Sequence, residues 1–316
     1  MSEERNDSTM KKNYSIIIPH HNTPELLKRC VSSIPERDDI DVFVIDDNSN
    51  AKHIQTIKDV CNRKNIKLTF TTEGLGAGYA RNVGLKQIQS KWVLFADADD
   101  YFMPNAWEYM DAHLNDTADI IYFHSTCRFS DTGELGDRHE QLVKKIDAYI
   151  KTPNETTEGV LRYNYNEPWG KMIRAKTISE NNLFFEQTRW AKDVHFCTMV
   201  GACAKSISVD TSEIYCVTIT HGSLIHQHSL ESRKCRYEAI LRNNAYLRKI
   251  GKPQFQDSLM YSLKWAAKLG GLKAVFEFIR LGKKYDADFS IGASNWFKNF
   301  FRSLNDYKGK KKYITK

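Results

Sequence analysis

The chain has 316 residues, of which 41% are hydrophobic and 27% are charged. This composition excludes disordered and collagen-like proteins, and the length suits one large domain with a smaller appendage. The sequence shows neither an apolar run of about 18 residues nor an N-terminal signal segment, so we expect a cytoplasmic protein. Its seven cysteines form no CxxC pair, which predicts reduced and mostly buried thiols.

The net charge of +7 is unevenly distributed along the chain. Residues 231–316 contain 20 Lys/Arg and 7 Asp/Glu, whereas residues 1–230 contain 26 and 32. A basic C-terminal region indicates contact with an anionic surface, either membrane lipid or nucleic acid, or else a solvated lysine-rich end. We expect a disordered N-terminus over residues 1–13, a globular domain over residues 14–230 and a helical region over residues 231–316.

Strand and helix patterns alternate through the first hundred residues. Short continuous apolar runs predict strands that are buried on both faces. The predicted strands are residues 14–18, 42–45, 67–71 and 92–96, and the predicted helices begin at Pro24 and cover residues 51–63 and 77–89. This alternation predicts an α/β fold with a mainly parallel sheet flanked by helices, and with functional loops at the carboxyl ends of the strands.

Two carboxylates directly follow the fourth predicted strand. Asp97 and Asp99 project to the same side of an extended segment, so both can reach one ion. Carboxylate oxygens are ligands that suit Mn²⁺ and Mg²⁺, and either ion would act there as a Lewis acid on a departing diphosphate. The alternative is a solvated acidic turn.

A glycine-rich segment, residues 73–82, precedes the acidic turn. A helix that begins near Ala77 directs its free amides toward phosphate, and Arg81 lies one turn into that helix. The segment lacks the Gly-Lys-Ser/Thr of a Walker loop and the spacing of the dinucleotide fingerprint. The alternative is a simple loop before a helix.

Four motifs occur in the order that is typical of one enzyme family. They are Ser15-Ile16-Ile17-Ile18-Pro19 with Asn22, Val44-Ile45-Asp46-Asp47-Asn48-Ser49, Gly76-Ala77-Gly78-Tyr79-Ala80-Arg81-Asn82 and Phe95-Ala96-Asp97-Ala98-Asp99-Asp100. The chain resembles the family 2 glycosyltransferases of the GT-A fold, which build bacterial cell-surface polysaccharides. The resemblance covers roughly residues 14–105 and returns at Trp169-Gly170-Lys171 and at residues 185–196.

The resemblance implies a nucleotide-sugar site. Its implied residues are Pro19, Asn22, Asp46, Asp47, Gly76, Arg81 and Asp97. Pro19 and either Asp46 or Asp47 would line the base pocket. Arg81 would face the base or the phosphate, Asp97 would lie near the ribose, and Asp99 would hold the metal with Asp97.

The resemblance also places a catalytic base on a later helix. An inverting transfer needs a carboxylate that accepts the proton of the acceptor hydroxyl. Asp193 keeps the position of this base, whereas Lys192 stands where an acid is more common in the family. An ordinary exposed helical aspartate is the alternative.

Further residues are candidates for the metal shell and the acceptor. Some relatives complete the metal shell with a histidine, so His226 and His228 are candidate ligands, with a metal-free histidine loop as the alternative. Trp169 and Lys171 would frame the acceptor, with the indole face against a sugar ring, unless Trp169 belongs to the core.

We therefore expect an inverting, metal-dependent hexosyltransferase that uses a UDP-sugar and a glycan acceptor, which we expect to be lipid-linked. The pattern of residues 295–304 predicts an aromatic helical face, which the Lys308 to Lys312 cluster follows. This face would make peripheral contact with the anionic inner face of a membrane, or else dock on the protein's own core. Two alternative functions remain. A nucleotidyltransferase typically carries a basic glycine-rich signature near its N-terminus, where this sequence has Pro-His-His-Asn instead. A nucleic-acid-binding module could use the basic C-terminal region, but the sequence contains no recognised binding motif, so we expect no nucleic acid partner.

Overall fold

A computed structural model of the chain describes residues 12–219 and 229–292. These two ranges are the described parts of two compact units. Asn13 belongs to the segment that we expected to be disordered, yet the structure holds it. Its backbone N–H donates to the carbonyl oxygen of Asp39 at 2.9 Å, and its side-chain amide donates to the Asp39 carboxylate at 2.7 Å.

Several predicted features lie outside the described residues. The candidate metal ligands His226 and His228 are among them. The aromatic face of residues 295–304 and the Lys308 to Lys312 cluster are others. The interpretations given to these segments therefore stay predictions.

The first unit contains an eight-stranded mixed sheet. Its strands are β1 (Tyr14–His20), β2 (Ile40–Asp47), β3 (Ile66–Thr71), β4 (Trp92–Phe95), β5 (Tyr101–Phe102), β6 (Ile120–Phe129), β7 (Lys171–Arg174) and β8 (Ile207–Ile219). Their order across the sheet is β3-β2-β1-β4-β7-β6-β8-β5. Strands β1 to β4 are parallel, β6 is parallel to β8, and β5 and β7 are antiparallel to their neighbours. The predicted α/β fold with a mainly parallel sheet is confirmed.

Helices flank this sheet. They are α1 (Pro24–Ser32), α2 (Ala51–Val60), α3 (Ala77–Leu85), α4 (Ala106–Ala112), α5 (Glu140–Lys151), α6 (Glu155–Asn164), α7 (Ala175–Glu180) and α8 (Lys192–Cys203). Pro24 is the first residue of α1, where its fixed φ suits a helix start and its missing N–H leaves no bond unmade. Helix α3 packs closely on β1, since a Cβ at Gly84 would lie 2.7 Å from the Ile17 side chain.

The core is centred on β1 and β2, which are buried along their whole length. This burial is expected of parallel strands that helices cover on both faces. A cluster of three aromatic rings extends the core from β4 to α8. The ring centroid of Phe95 lies 5.1 Å from that of Phe185 and 5.6 Å from that of Phe196. This cluster fixes the start of α8 against the end of β4.

The second unit is helical. It contains α9 (Leu230–Lys249), a short 3₁₀ turn (Pro253–Phe255) and α10 (Met260–Lys283). The chain leaves the 3₁₀ turn before α10 begins, so the region that we expected to be helical is interrupted there. Within the described ranges, no helix combines the length and the apolar character that a membrane span requires.

Candidate functional site

The polar loops after β1, β2 and β4 meet at one edge of the sheet. His20 lies in register with Asp46 across β1 and β2, and β4 flanks the other side of β1. Because the three strands are parallel, their carboxyl ends lie together. Residues 19–22, 46–49 and 97–100 are therefore neighbours, as the sequence pattern predicted for such strands.

Asp46 organises the loop at the end of β2. Its side chain is buried and accepts hydrogen bonds from the backbone N–H of Ser49 at 2.9 Å and from the Ser49 hydroxyl at 2.6 Å. The backbone N–H of Thr23 donates to Nε2 of His20 at 3.2 Å, so the proton of His20 is on Nδ1, which donates to Asp46 at 2.7 Å. Pro19 is buried in β1. The predicted contacts of Pro19 and Asp46 with a nucleotide base stay predictions.

Asp47 fixes the glycine-rich turn. Its carboxylate accepts from the backbone N–H of Gly76 at 2.6 Å and from the Thr71 hydroxyl at 3.1 Å. Gly76 has a φ of +89°, which strains any residue with a Cβ. Asn22 also has a positive φ, and its N–H donates to the Ser49 hydroxyl at 2.7 Å. These bonds join the loops after β1 and β2 to the glycine-rich turn at the start of α3.

Residues of β8 form hydrogen bonds that hold the acidic turn, residues 97–100. The backbone N–H of Thr218 donates to the Asp100 carboxylate at 2.7 Å, and the Tyr215 hydroxyl donates to it at 3.0 Å. The same hydroxyl accepts from the backbone N–H of Asp97 at 2.8 Å. Ligand oxygens of Asp97, Asp99 and Asp100 all lie within 4.8 Å of one another. Because Asp100 is buried and bonded to β8, Asp97 and Asp99 are the carboxylates of the turn that solvent reaches.

Negative charge is concentrated in this turn. Burial, and then the charges of Asp99 and Asp97, raise the pKa of Asp100 well above its ordinary value. Loss of hydration within the turn, and then the charge of Asp97, raise the pKa of Asp99, against the opposing charges of Arg138 and Arg29. A divalent cation relieves such crowding, and carboxylate oxygens are the donors that Mn²⁺ and Mg²⁺ prefer. The residues of this turn therefore fit the predicted ion.

One guanidinium connects the acidic turn to the predicted base. Arg81 is 2% exposed; it donates to Oδ1 of Asp193 at 2.7 Å and to Oδ1 of Asp97. The two carboxylate side chains are 29% and 31% exposed. Arg81 also lies over the ring of Phe185, at 5.2 Å from its centroid. The predicted contact of Arg81 with the base or the phosphate stays a prediction.

Asp193 lies in the first turn of α8, where the positive end of the helix dipole favours a carboxylate. The segment that leads into α8 is bonded to α3, because Asn82 donates to the carbonyl of Phe185 at 2.9 Å and accepts from its N–H at 2.8 Å. Ala191 precedes α8 with a φ of +56°, which is a strained conformation for alanine. Position 193 is therefore set by the approach of this segment to α3.

We expect Gly78→Ala to lower the free energy of unfolding by about 1–3 kcal/mol. A Cβ at position 78 would lie 2.5 Å from the carbonyl oxygen of Glu186, so α3 and the segment before α8 must separate. Urea unfolding measures the change, and Lys52→Ala on the exposed side of α2 is the control, expected within about 0.5 kcal/mol of the native chain. Equal midpoints for both variants would contradict the close packing of this segment on α3.

The structure corrects the predicted acceptor contacts of Trp169 and Lys171. Trp169 is 2% exposed, and its ring stacks on that of Tyr215 with centroids 5.5 Å apart. Lys171 is 3% exposed; it donates to the carbonyl oxygen of Tyr165 at 3.3 Å and lies over the rings of Tyr165 and Tyr122. Lys171 is the first residue of β7, Trp169 lies two residues before it, and β7 lies inside the sheet between β4 and β6. Neither side chain has a face open to a sugar.

The sequence analysis missed three residues that support the acidic turn. Tyr215 and Thr218 lie more than a hundred residues from the turn, on a strand whose pattern does not distinguish them. Arg29 of α1 donates to the carbonyl oxygen of Asp99, to the Thr218 hydroxyl at 3.2 Å and to the Ser130 hydroxyl at 3.1 Å. No sequence signal distinguishes Arg29, because α1 also carries Glu25 and Lys28.

Comparisons with known proteins bear on these motifs. The family model "Glycosyl transferase family 2" matches residues 15–204. The putative glycosyltransferase EpsH of Bacillus subtilis is 23% identical over 287 residues, which cover 84% of this chain and 80% of EpsH. The poly(ribitol-phosphate) beta-N-acetylglucosaminyltransferase TarS of Staphylococcus aureus is 27% identical over 212 residues, which cover 64% of this chain and only 35% of TarS.

Two solved structures share the fold. The crystal structure of residues 1–349 of TarS with UDP-GlcNAc matches with a TM-score of 0.61 at 20% identity, over 85% of this chain and 81% of that one. The mannosyltransferase PcManGT from Pyrobaculum calidifontis, with GDP-Man and Mn²⁺, matches with a TM-score of 0.56 at 14% identity, over 98% and 85%. The fold is GT-A. Because the family match spans more than half of the chain and every loop of the candidate site, the chain belongs to glycosyl transferase family 2.

Proposed function

We propose that the chain is an inverting transferase that acts in surface polysaccharide synthesis. It would move a hexose-type residue from a UDP-sugar to a glycan acceptor that is linked to a lipid. The observation that carries the proposal is the joining of the acidic turn to Asp193 through Arg81, at the carboxyl edge of β1, β2 and β4. The UDP-GlcNAc bound to TarS in its crystal structure supports the choice of donor. TarS is named for transfer to poly(ribitol-phosphate), which supports the choice of a polymeric acceptor.

Asp97 and Asp99 would hold Mn²⁺ or Mg²⁺, which when bound neutralises charge on the departing nucleoside diphosphate. The close approach of their oxygens supports this assignment, as does the Mn²⁺ in the related PcManGT structure. The main-chain N–H of Gly76 is already bonded to Asp47, so the turn before α3 is fixed before the donor arrives. A site that is ordered in advance loses less entropy when the donor binds.

Asp193 would be the catalytic base. The acceptor oxygen forms a bond with the anomeric carbon as the bond from that carbon to the diphosphate breaks, and the acceptor proton moves to the Asp193 carboxylate. Arg81 orients Oδ1 of this carboxylate, and the side chain remains partly exposed to an incoming hydroxyl. The buried cation also keeps Asp193 and Asp97 close together despite their like charges.

Arg81 would then be a positioning residue, and Arg81→Lys tests this role. An ammonium group lacks the planar fork that binds two carboxylates at once. We expect kcat to fall by roughly 10- to 100-fold, while the donor Kd changes by less than about threefold. Turnover and donor titration together measure the split between the two effects. A large rise in the donor Kd with little change in kcat would instead assign Arg81 to the nucleotide.

The acceptor would enter a cavity of about 730 Å³ beside the end of β6. Its lining combines apolar surface from Phe129 and Leu135 with the polar groups of Arg128, His139 and Glu213, a mixture that suits a sugar ring with its hydroxyl groups. The adjoining Arg138 acts electrostatically on Asp99, which links this loop to the acidic turn. The cavity replaces Trp169 and Lys171 as the proposed acceptor contact.

The deciding experiment is a panel of nucleotide sugars with the full chain, in Mn²⁺, in Mg²⁺ and with the metals chelated. We expect one uridine diphosphate sugar to bind and to be hydrolysed slowly in a metal-dependent manner. A nucleoside triphosphate in the same panel tests the alternative of a nucleotidyltransferase. Binding of no nucleotide sugar under any condition would overturn the proposed function.

A further inference from the structure

Exposed apolar side chains are concentrated on α10. Among the described residues, nine large hydrophobic side chains are exposed, and four of the nine belong to this one helix. They are Tyr261, Leu269, Leu272 and Phe276, with exposed fractions of 59%, 36%, 76% and 69%. Isolated exposed apolar residues are normal on a protein surface, whereas a group of them on one element marks a contact surface.

Two members of this apolar group, Leu272 and Phe276, face away from α9. Gly271 has a φ of 61° and a ψ of −159°, so α10 consists of two helical halves. In the second half, Ala274 and Phe278 are buried, and the ring of Phe278 stacks on Tyr237 of α9 with centroids 4.7 Å apart. Leu272 and Phe276 are each two positions from a buried residue, which places them on the opposite side of the helix. The packing of the second unit therefore leaves them uncovered.

Cations surround the apolar group. The five Lys/Arg of α10 are Lys264, Lys268, Lys273, Arg280 and Lys283, against the single acid Glu277, which forms an ion pair with Lys234. Arg233 of α9 lies over the Trp265 ring at 4.1 Å and over the Tyr261 ring at 5.5 Å, and Lys268 lies over Trp265 at 4.7 Å. Aromatic and aliphatic side chains among lysines and arginines are the composition of a helix that lies in a membrane interface.

We propose that this face of α10 docks on the surface of an anionic phospholipid bilayer. We name it the α10 face, and it consists of Tyr261, Leu269, Leu272 and Phe276 with the exposed Lys264, Lys268 and Lys273. The apolar side chains enter the boundary between headgroups and acyl chains, and the lysines contact the headgroup phosphates. Contact through a surface helix needs no membrane span.

Charge argues against the other occupants of the face. Residues 293–316 carry seven Lys/Arg and one Asp, so docking of the chain's own C-terminus would place cations against cations. A second copy of the same face would do so as well, because both copies bring the same lysines. An anionic bilayer is the surface that complements both the apolar and the basic parts of the α10 face. Membrane binding is measured without a donor, so its outcome is independent of the proposed function.

The test is co-sedimentation of the full chain with vesicles of phosphatidylcholine alone or mixed with phosphatidylglycerol. We expect binding to the mixed vesicles only. Leu272→Ser/Phe276→Ser should weaken that binding by roughly tenfold or more, because two apolar side chains no longer leave water. Replacing Lys264, Lys268 and Lys273 with Gln should weaken it by about fivefold per lysine. Ile150→Ser, at an exposed apolar position of α5, is the matched control and should bind as the native chain does.

Several outcomes would overturn the proposal. Native binding by the Leu272→Ser/Phe276→Ser variant would move the membrane contact to another segment, including residues 295–304. Absence of binding to either vesicle would exclude a membrane contact. A concentration-dependent dimer that only this variant loses would assign the α10 face to a second copy. Thermal unfolding and donor binding verify the fold of each variant. If the apolar variant does not fold, the lysine variant tests the proposal instead, because it is altered only at exposed side chains.

Discussion

Replacing Asp193 with Asn is expected to lower kcat by about 10²- to 10⁴-fold, with the donor Kd changed by less than about threefold. Asparagine keeps the shape of the side chain, and its amide oxygen can still accept from Arg81, which lies 2.7 Å from Oδ1 of Asp193. It cannot take a proton from the acceptor hydroxyl. Steady-state turnover and direct titration of the donor separate the two effects.

Glu180→Gln is the control for this experiment. Glu180 is an exposed carboxylate of α7 that pairs with Lys176 across one helical turn, and its replacement removes the same charge away from the site. Exposed pairs of this kind contribute little to stability, so kcat should stay unchanged. If Asp193→Asn retains kcat within about tenfold of the native value, the base is another group, because loss of a general base has a larger effect.

Replacing Asp99 with Asn is expected to remove the metal-dependent part of donor binding. A neutral amide is a weaker ligand than a carboxylate for Mn²⁺ or Mg²⁺. The remaining carboxylate ligand, Asp97, shares its charge with Arg81, to which it is bonded. We expect the donor Kd in saturating Mn²⁺ to rise by roughly 100-fold, to the value that the native chain shows with the metal chelated. Calorimetric titration of the donor with and without metal measures this change.

The control for the metal prediction is Asp59→Asn on α2. Asp59 accepts from Gln55 on the exposed side of that helix, away from the acidic turn, so donor binding should keep its metal dependence. Circular dichroism establishes whether either variant is folded. If Asp99→Asn retained a native response to Mn²⁺, Asp99 would not be a metal ligand, and the acidic turn would act only as a structural element.

Much of the frame of the site could be predicted from the sequence, because it depends on local order along the chain. Continuous apolar runs predicted β1, β2 and β4, and the residues directly after a parallel strand always lie at its carboxyl edge. The positions of Asp97 and Asp99 follow from that rule alone. The glycine-rich segment before α3 was also informative, because Gly76 adopts a positive φ that other residues resist.

The partners of those residues could not be predicted, because they come from distant parts of the chain. Arg81 and Asp193 are 112 positions apart, and Tyr215 is 115 positions from Asp100. Neither pairing has a sequence period that local reasoning could detect. Trp169 was predicted to contact the acceptor, but an aromatic side chain in a motif suits an exposed site and a packed core equally well. Its burial and its stacking on Tyr215 assign it to the core.

The sequence by itself determined the strand and helix order of the first hundred residues, the acidic turn and the basic character of the C-terminal region. Periodicity, turn residues and charge are local properties of the chain, so the sequence is sufficient to identify them. The tertiary structure decided which carboxylate is buried, which cation joins Asp97 to Asp193 and which face of α10 remains exposed. These depend on packing between segments far apart in sequence, where burial and hydrogen bonding are set by neighbours that no local pattern specifies.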